Sequence, residues 1–331
     1  MKIGIIGAGN LGIELIKILE NHNLVIIEKS FNRIQYLADH NIFAVSHYND
    51  IPTCDLVFII VNTTSKEKYN YDNLIDVLNH LKNCLTIPLL IISSTCEPSF
   101  FNNGIYKDLE KRILYHPFFV RQGLLEQDIR NPEFVLIGDN FGLSSQLCKL
   151  YQSINVNRFL IMDILSASIV KLAINTYLTM KITYANLIGD LCKVLKVDPN
   201  IVLHAIGQDK RINPFYMKYG FGYGGPCLPI DTVALKQTLI EANLCTDLPK
   251  TIENLNAAHL KFQVEDAITQ QSIFINGIGF KENSSIIIHS QKLLFAELVA
   301  KSGVPVKIRE SSHVIDLLKG QYNDLFEYET C

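Results

Sequence analysis

The chain has 331 residues, of which 48% are hydrophobic and 19% charged, and carries a formal net charge of −3. That is enough for two or more domains with sizeable cores, and the composition excludes a disordered or fibrous chain. Without a basic surplus a nucleic-acid partner is not expected. The longest apolar runs, at 56–61 and 87–92, fall far short of the ~20 residues that cross a bilayer.

The first apolar run leads into a glycine motif at residue 7, which leaves no room for a secretory leader, so a cytoplasmic protein is expected. The eight cysteines are scattered and form no CxxC pair, so neither a metal site nor a disulfide framework is expected. Over residues 1–150, short Ile- and Val-rich runs at 2–6, 24–27, 56–61, 89–92, 113–114 and 134–137 alternate with amphipathic stretches. This alternation predicts an α/β domain with a Rossmann-type parallel sheet covered on both faces.

Gly7-Ala8-Gly9-Asn10-Leu11-Gly12 follows the first run and precedes a helical pattern at 13–19. In that setting the first glycine makes a tight turn, the second admits a pyrophosphate, and the third lets helix and strand pack closely. Glu28 closes the second run, where a carboxylate binds the adenosine ribose hydroxyls and repels a 2′-phosphate. NAD is therefore expected over NADP, although Lys29 and Arg33 beside the acid weaken the preference.

Residues 163–196 contain no proline and a single glycine, with apolar residues at helical spacing, which predicts one helix of roughly 45 Å. Nearly apolar all round, it is expected to be buried on several sides and to form the interface of a homodimer. Lys171 and Asn175, four apart, share one face of it. Asp198-Pro199 reads as the cap and first turn of the next helix.

The stretch Gly220-Phe221-Gly222-Tyr223-Gly224-Gly225 is too rich in glycine for helix or strand packing and describes a loop whose backbone comes close to something. The loop delivers Cys227, a candidate nucleophile, with Asp231 four residues on. After residue 249 the α/β texture returns, with helices near 252–267, 291–302 and 313–318, two evident strands at 273–278 and 304–308, and a polar tail. The expected organisation is an NAD-binding domain over 1–155, a central all-helical domain over 156–250 and a truncated α/β domain over 251–331.

These motifs resemble those of the UDP-glucose/GDP-mannose dehydrogenase family. Residues 211–231 resemble its RIG…GxGxGGxCxxKD segment without a gap, and residues 171–186 its KxxxN…AN helix. Thr95, in Ser93-Ser94-Thr95, looks like the threonine of its STVP segment, and residues 277–281 resemble its GxxFK strand. The resemblance implies oxidation of a nucleotide-sugar primary alcohol to a carboxylate with two NAD, as in polysaccharide biosynthesis.

Carried over by position, Cys227 attacks the intermediate aldehyde, and hydride loss from the adduct leaves a thioester. Lys171 stabilises the oxyanion, Asn175 hydrogen-bonds it, and Asp231 and Thr95 position a water and the proton transfers. The cofactor contacts so implied are Gly7, Gly9, Asn10, Leu11, Gly12, Glu28, Thr63 and Thr95. The implied substrate contacts are Arg211, reaching across a dimer, with Lys218, Tyr216, Tyr223, Gly224, Lys281, Phe119 and Val120.

The sequence also departs from the family. Its PEFLREG loop reads Pro117-Phe118-Phe119-Val120-Arg121-Gln122-Gly123 here, so Phe118 and Gln122 stand where glutamates belong. Ile230 replaces the lysine of CxPKD, residues 284–290 replace TDDxRES, and the third domain is about half its usual length. Unless Asp231, His116 or another group takes over as base, an acylated Cys227 is expected to clear slowly. Two other readings stay open: a two-electron alcohol dehydrogenase using Lys171 and Asn175, and an NAD-binding homologue without chemistry.

Overall fold

The structure, a computed structural model, describes residues 1–65, 68–84, 86–121, 123–282 and 284–331. It divides into two compact units, residues 1–172 and 173–331.

In the first unit, strands β1 (Lys2–Ile6), β2 (Asn23–Ile27), β3 (Leu56–Ile59), β4 (Leu89–Ile92), β5 (Ile113–Tyr115), β6 (Val135–Gly138) and β7 (Phe159–Met162) form one sheet. Their order is β2-β1-β3-β4-β5-β6-β7. All neighbours run parallel except β5 and β6, which meet antiparallel at Tyr115 and Gly138. The helices of this unit are α1 (Asn10–Ile18), α2 (Phe31–Asp39), α3 (Asp72–Lys82), α4 (Gly104–Leu109), α5 (Leu125–Arg130) and α6 (Ser145–Ser153).

The Ile- and Val-rich runs become strands because alternate residues feed two separate cores. Ile3, Ile5, Leu56, Phe58 and Ile91 enter one cluster, and Ile6, Val57, Ile59, Leu90 and Ile92 the other. Each such side chain, fully buried, contributes roughly 1.5–3 kcal/mol. Beyond β2, Val45 makes a single parallel bridge to Ile27. Its N–H donates to the Ile26 carbonyl and its own carbonyl accepts from the Glu28 N–H, both at 3.0 Å. With this one-residue strand counted, the order is that of a doubly wound dinucleotide fold, whose winding reverses between β1 and β3.

Three local expectations need correction. The first helix, α1, starts at Asn10 rather than residue 13; β3 stops at Ile59 rather than residue 61; and β7 was not foreseen. β7 lies at the sheet edge with Leu160 and Ile161 exposed, so it lacks the buried alternation that marks the inner strands.

A long helix, α7 (Ile164–Val194), begins in the first unit and continues into the second. The second unit then holds α8 (Pro199–Gln208), α9 (Leu228–Glu241), α10 (Asp247–Ala267), β8 (Ile273–Asn276), α11 (Gln291–Lys301), β9 (Val306–Glu310), α12 (Ser312–Tyr322) and β10 (Glu327–Thr330). Asp198 caps α8 through the Asn200 N–H, as Asp-Pro implied. The small sheet has three parallel strands in the order β10-β9-β8, so the supposed polar tail is a strand. It reads as polar because Glu329 pairs with Lys307 at 2.6 Å and Arg309 at 3.5 Å on the adjacent strand.

Within this unit α7 is not buried all round. Thr176, Thr179, Thr183 and Asn186 face inward at 3% exposure or less, whereas Tyr177, Tyr184, Leu187 and Leu191 are 45–53% exposed. The helix is thus polar inside and apolar outside, the reverse of an ordinary surface helix. Among the described residues, no helix is long and apolar enough to cross a membrane.

Candidate active site

The glycine motif lies at the carboxyl end of β1. Gly7 has φ +97°, and a Cβ there would sit 2.2 Å from the Ile60 carbonyl oxygen. A Cβ on Gly12 would sit 2.2 Å from the Gly7 carbonyl oxygen, whereas one on Gly9 would meet nothing within 4 Å. The first and third glycines are therefore required by the fold, and the second leaves bare backbone facing open space. That suits the close approach of a pyrophosphate. Asn10 is exposed at the start of α1, and Leu11 packs half-buried on the first core.

Glu28 turns back towards this loop, accepting from the Ala8 N–H and the Ser30 N–H, each at 2.9 Å. Lys29 pairs with Asp76 and lies 5.7 Å from the Tyr48 ring, and Arg33 lies over Tyr36. Both cations are directed at groups of their own chain. At the ends of β3 and β4 the buried Thr63 hydroxyl donates to the Thr95 carbonyl at 3.0 Å, and Thr95 itself is half-buried.

Lys171 is 7% exposed, donates through Nζ to the Phe118 carbonyl at 3.0 Å and lies 5.1 Å from the Phe119 ring. Phe118 belongs to the core, its ring 4.7 Å from that of His116, and the half-buried Val120 packs on the same core. His116 Nδ1 lies 2.8 Å from the Leu136 carbonyl and Nε2 lies 2.6 Å from the Tyr151 hydroxyl. A carbonyl only accepts, so Nδ1 bears the hydrogen and Nε2 accepts from Tyr151. Burial pushes the His116 pKa down to about 4. Neutral and occupied at both nitrogens, His116 is a core residue and cannot replace the missing base. Gln122 lies outside the described residues.

In the second unit Cys227 is exposed at the N-cap of α9, with Pro229 in the first turn. Asp231, 1% exposed, lies one turn on, its N–H donating to the Cys227 carbonyl at 2.9 Å. The Asn175 Nδ2 of α7 donates to the Asp231 carboxylate. Two of the expected catalytic side chains are thus joined directly, next to the third.

The backbone of the glycine-rich loop comes close to other parts of its own chain. A Cβ on Gly222 would lie 2.3 Å from the Asn256 Oδ1 of α10, and one on Gly224 would lie 2.1 Å from the His289 carbonyl oxygen. Gly225 has φ +81°, and a Cβ there would lie 2.5 Å from the Phe280 ring. The loop is thin because its own chain crowds it. Tyr223 is 6% exposed, and burial pushes its phenol above the usual range.

Of the expected phosphate-binding cations, Arg211 and Lys218 are exposed and Lys281 is half-buried. Arg211 lies 2.7 Å from Asp209, which its hydrogen bond holds below the usual carboxylate range. Lys218 lies 3.9 Å from Glu282, Lys281 is 5.9 Å from the Phe280 ring, and Tyr216 is exposed with φ +63°. A residue the sequence did not single out is Lys181, buried on α7, which donates to the Ile212 and Asn213 carbonyls at 2.9 and 3.1 Å. It holds the segment that carries Arg211; its only sequence signal is a second lysine on the apolar helix.

Residues 165–258 match the model of the UDP-glucose/GDP-mannose dehydrogenase family, central domain. The similarity to that family is thus shown over its central domain. A UDP-glucose 6-dehydrogenase of Rickettsia conorii is 26% identical over 289 residues, covering 82% of this chain and 66% of its own length. The YtcA protein of Bacillus subtilis is 25% identical over 354 residues, covering 95% and 82%. A solved UDP-glucose dehydrogenase from the archaeon Pyrobaculum islandicum superposes with a TM-score of 0.88 at 21% identity, covering 99% of this chain and 85% of that one. At that identity the superposition establishes the fold.

Proposed function

We propose that the chain is an NAD-dependent oxidoreductase that oxidises the primary alcohol of a nucleotide sugar through Cys227. The observation that carries this is the exposed thiol at the N-cap of α9 with the Asn175–Asp231 pair one turn behind it. A helix N-terminus favours negative charge on sulfur, and a thiolate is the form that attacks an aldehyde. The family resemblance supports the substrate class.

NAD, when bound, accepts the hydride. The Gly7, Gly9 and Gly12 turn suits its pyrophosphate, with Asn10 and Leu11 at the start of α1, Glu28 suits its ribose, and Thr63 and Thr95 flank it. Lys29 is turned to Asp76, which leaves Glu28 to disfavour a 2′-phosphate.

Cys227 adds through sulfur to the aldehyde carbon, and Lys171 supplies the positive charge for the resulting oxyanion. Loss of hydride leaves a thioester on Sγ, and water releases the carboxylate and returns the thiol. With Phe118 in the core and His116 neutral, activation of that water falls to Asp231, so acyl release is the slow step. Arg211, Lys218 and Lys281 are assigned to substrate phosphate, and Tyr216, Tyr223, Gly224, Phe119 and Val120 to the shape of the sugar site. We place the protein in the cytoplasm as a homodimer associating through α7, supplying sugar acids for polysaccharides.

The test is to incubate the protein with NAD and a panel of UDP- and GDP-sugars, count NADH per substrate and weigh the protein for an adduct. Two NADH per carboxylate, with acylated Cys227 accumulating, is expected. One NADH per substrate without an adduct would replace this with the two-electron alcohol dehydrogenase. NAD binding with no turnover on any sugar would leave the non-catalytic homologue.

A further inference from the structure

We propose that α10 is the frame on which the Cys227 loop is set, with Asn256 and His259 as positioning residues, and that residue 222 is glycine to admit the Asn256 amide rather than a ligand. The inference rests on the dehydrogenase reading only for what the cysteine does; the placement stands on geometry.

Asn256 is 8% exposed and uses both ends of its amide on one residue of the loop. Its Oδ1 accepts from the Tyr223 N–H at 3.0 Å, and its Nδ2 donates to the Tyr223 carbonyl at 3.3 Å. That is the pairing a neighbouring strand would supply, delivered by a side chain. Gly222 lies beneath the same amide, where a Cβ would fall 2.3 Å from Oδ1 and 3.3 Å from Nδ2. Its φ lies outside the left-handed range, so the backbone there does not itself demand glycine.

One turn on, His259 is 3% exposed and spans the loop and α7. Nε2 lies 2.7 Å from the Gly220 carbonyl, and Nδ1 lies 2.8 Å from the Asp190 carboxylate, which also accepts from the Tyr219 hydroxyl at 2.9 Å. Asn186 completes the set, accepting from the Gly220 N–H at 3.1 Å and donating to the Phe221 carbonyl at 3.4 Å. Buried main-chain groups must find partners. Over residues 220–223 those partners are side chains of two helices, and the loop so fixed runs into the N-cap at Cys227. A nucleophile displaced by about 1 Å can lose 10²-fold in rate, so such fixing is what its chemistry requires.

The test reads Cys227 alkylation by iodoacetamide, by peptide mass, with exposed Cys245 of the same molecule as the reference. Asn256→Ala is expected to slow labelling of Cys227 roughly tenfold relative to Cys245, the effect of losing a buried hydrogen-bonded pair. Gly222→Ala should slow it comparably in the native background and by no more than about twofold when Asn256 is already alanine, because the clash and the clamp are one interaction. Asn256→Asp keeps the acceptor for the Tyr223 N–H and should fall between; it also stands in if Asn256→Ala does not fold. Unchanged Cys227 labelling in the Asn256 variants, or a Gly222→Ala effect that persists undiminished without Asn256, would overturn the proposal. No sugar or NAD enters this assay, so failure of the dehydrogenase reading would leave its outcome intact.

Discussion

The Lys171 ammonium donates to the main-chain carbonyl of Phe118 at 3.0 Å. The bond ties the residue assigned to steady an oxyanion to the segment in which a glutamate was expected. An ammonium has three donors, so one bond aims the group without exhausting it. Lys171→Met, which keeps the buried stem, is expected to lower turnover by ~10²- to 10³-fold, as for loss of an oxyanion donor. Cofactor titration should be unchanged. Full NADH production by the variant would remove Lys171 from the chemistry.

A glutamate placed at residue 118 is expected to be buried rather than to act as a base. Phe118 is 9% exposed, inside the first core and against a neutral His116. Phe118→Glu loses a buried aromatic and buries an acid, so it is expected to cost about 3 kcal/mol or more in a urea melt. A variant as stable as the parent and faster in acyl release would mean that this segment opens readily.

His116 makes stability depend on pH in a defined direction. Its folded pKa of about 4 lies below the ordinary 6.5, so between those values the unfolded chain binds the additional proton. The contribution is fully present above pH 6.5 and is lost as pH falls towards 4, on the order of 3 kcal/mol in all. His116→Asn can keep a donor for the Leu136 carbonyl and does not titrate. Melting curves of parent and variant should converge on acidification through that window; parallel curves would refute the assignment.

Glu28 predicts cofactor choice. NAD(H) should bind at least about tenfold tighter than NADP(H), ~1.4 kcal/mol, and Glu28→Ser should narrow the gap. Calorimetry with both cofactors decides it, and equal affinities for the parent protein would end the role given to Glu28.

The outward apolar stripe of α7 predicts a dimer at micromolar concentration. Leu187→Glu with Leu191→Glu should yield monomers by light scattering, with little change in secondary structure, because both side chains are about half exposed in one chain. A monomeric parent protein would refute the interface and the reach of Arg211 into a neighbouring site.

The inner strands were legible because Ile, Val and Leu in β1, β3 and β4 are buried on both faces, which leaves short unbroken apolar runs. At the edges the signal failed. β7 is half solvated, β10 reads Glu-Tyr-Glu-Thr with its charge balanced across β9, and Val45 is a strand of one residue. The turn at Gly7, with φ +97°, and the packing of Gly12 on the Gly7 carbonyl were legible, since both lie within one short motif. The glycines at 222 and 224 were not, because what crowds them comes from Asn256 and His289, far along the chain. The polarity of α7 was hidden for a related reason: a helix apolar nearly all round does not say which side its few threonines and asparagines face.

On the proposed dimer, that inverted helix makes concentration a variable of the site. On one side of α7, Asn175, Asn186 and Asp190 hold Asp231, the Cys227 loop and His259. On the other, Tyr177, Tyr184, Leu187 and Leu191 are about half exposed. A partner that covers the outer side binds only the folded rod, so by mass action it holds the inner side in place as well. Dilution should then loosen Cys227 before it unfolds the chain.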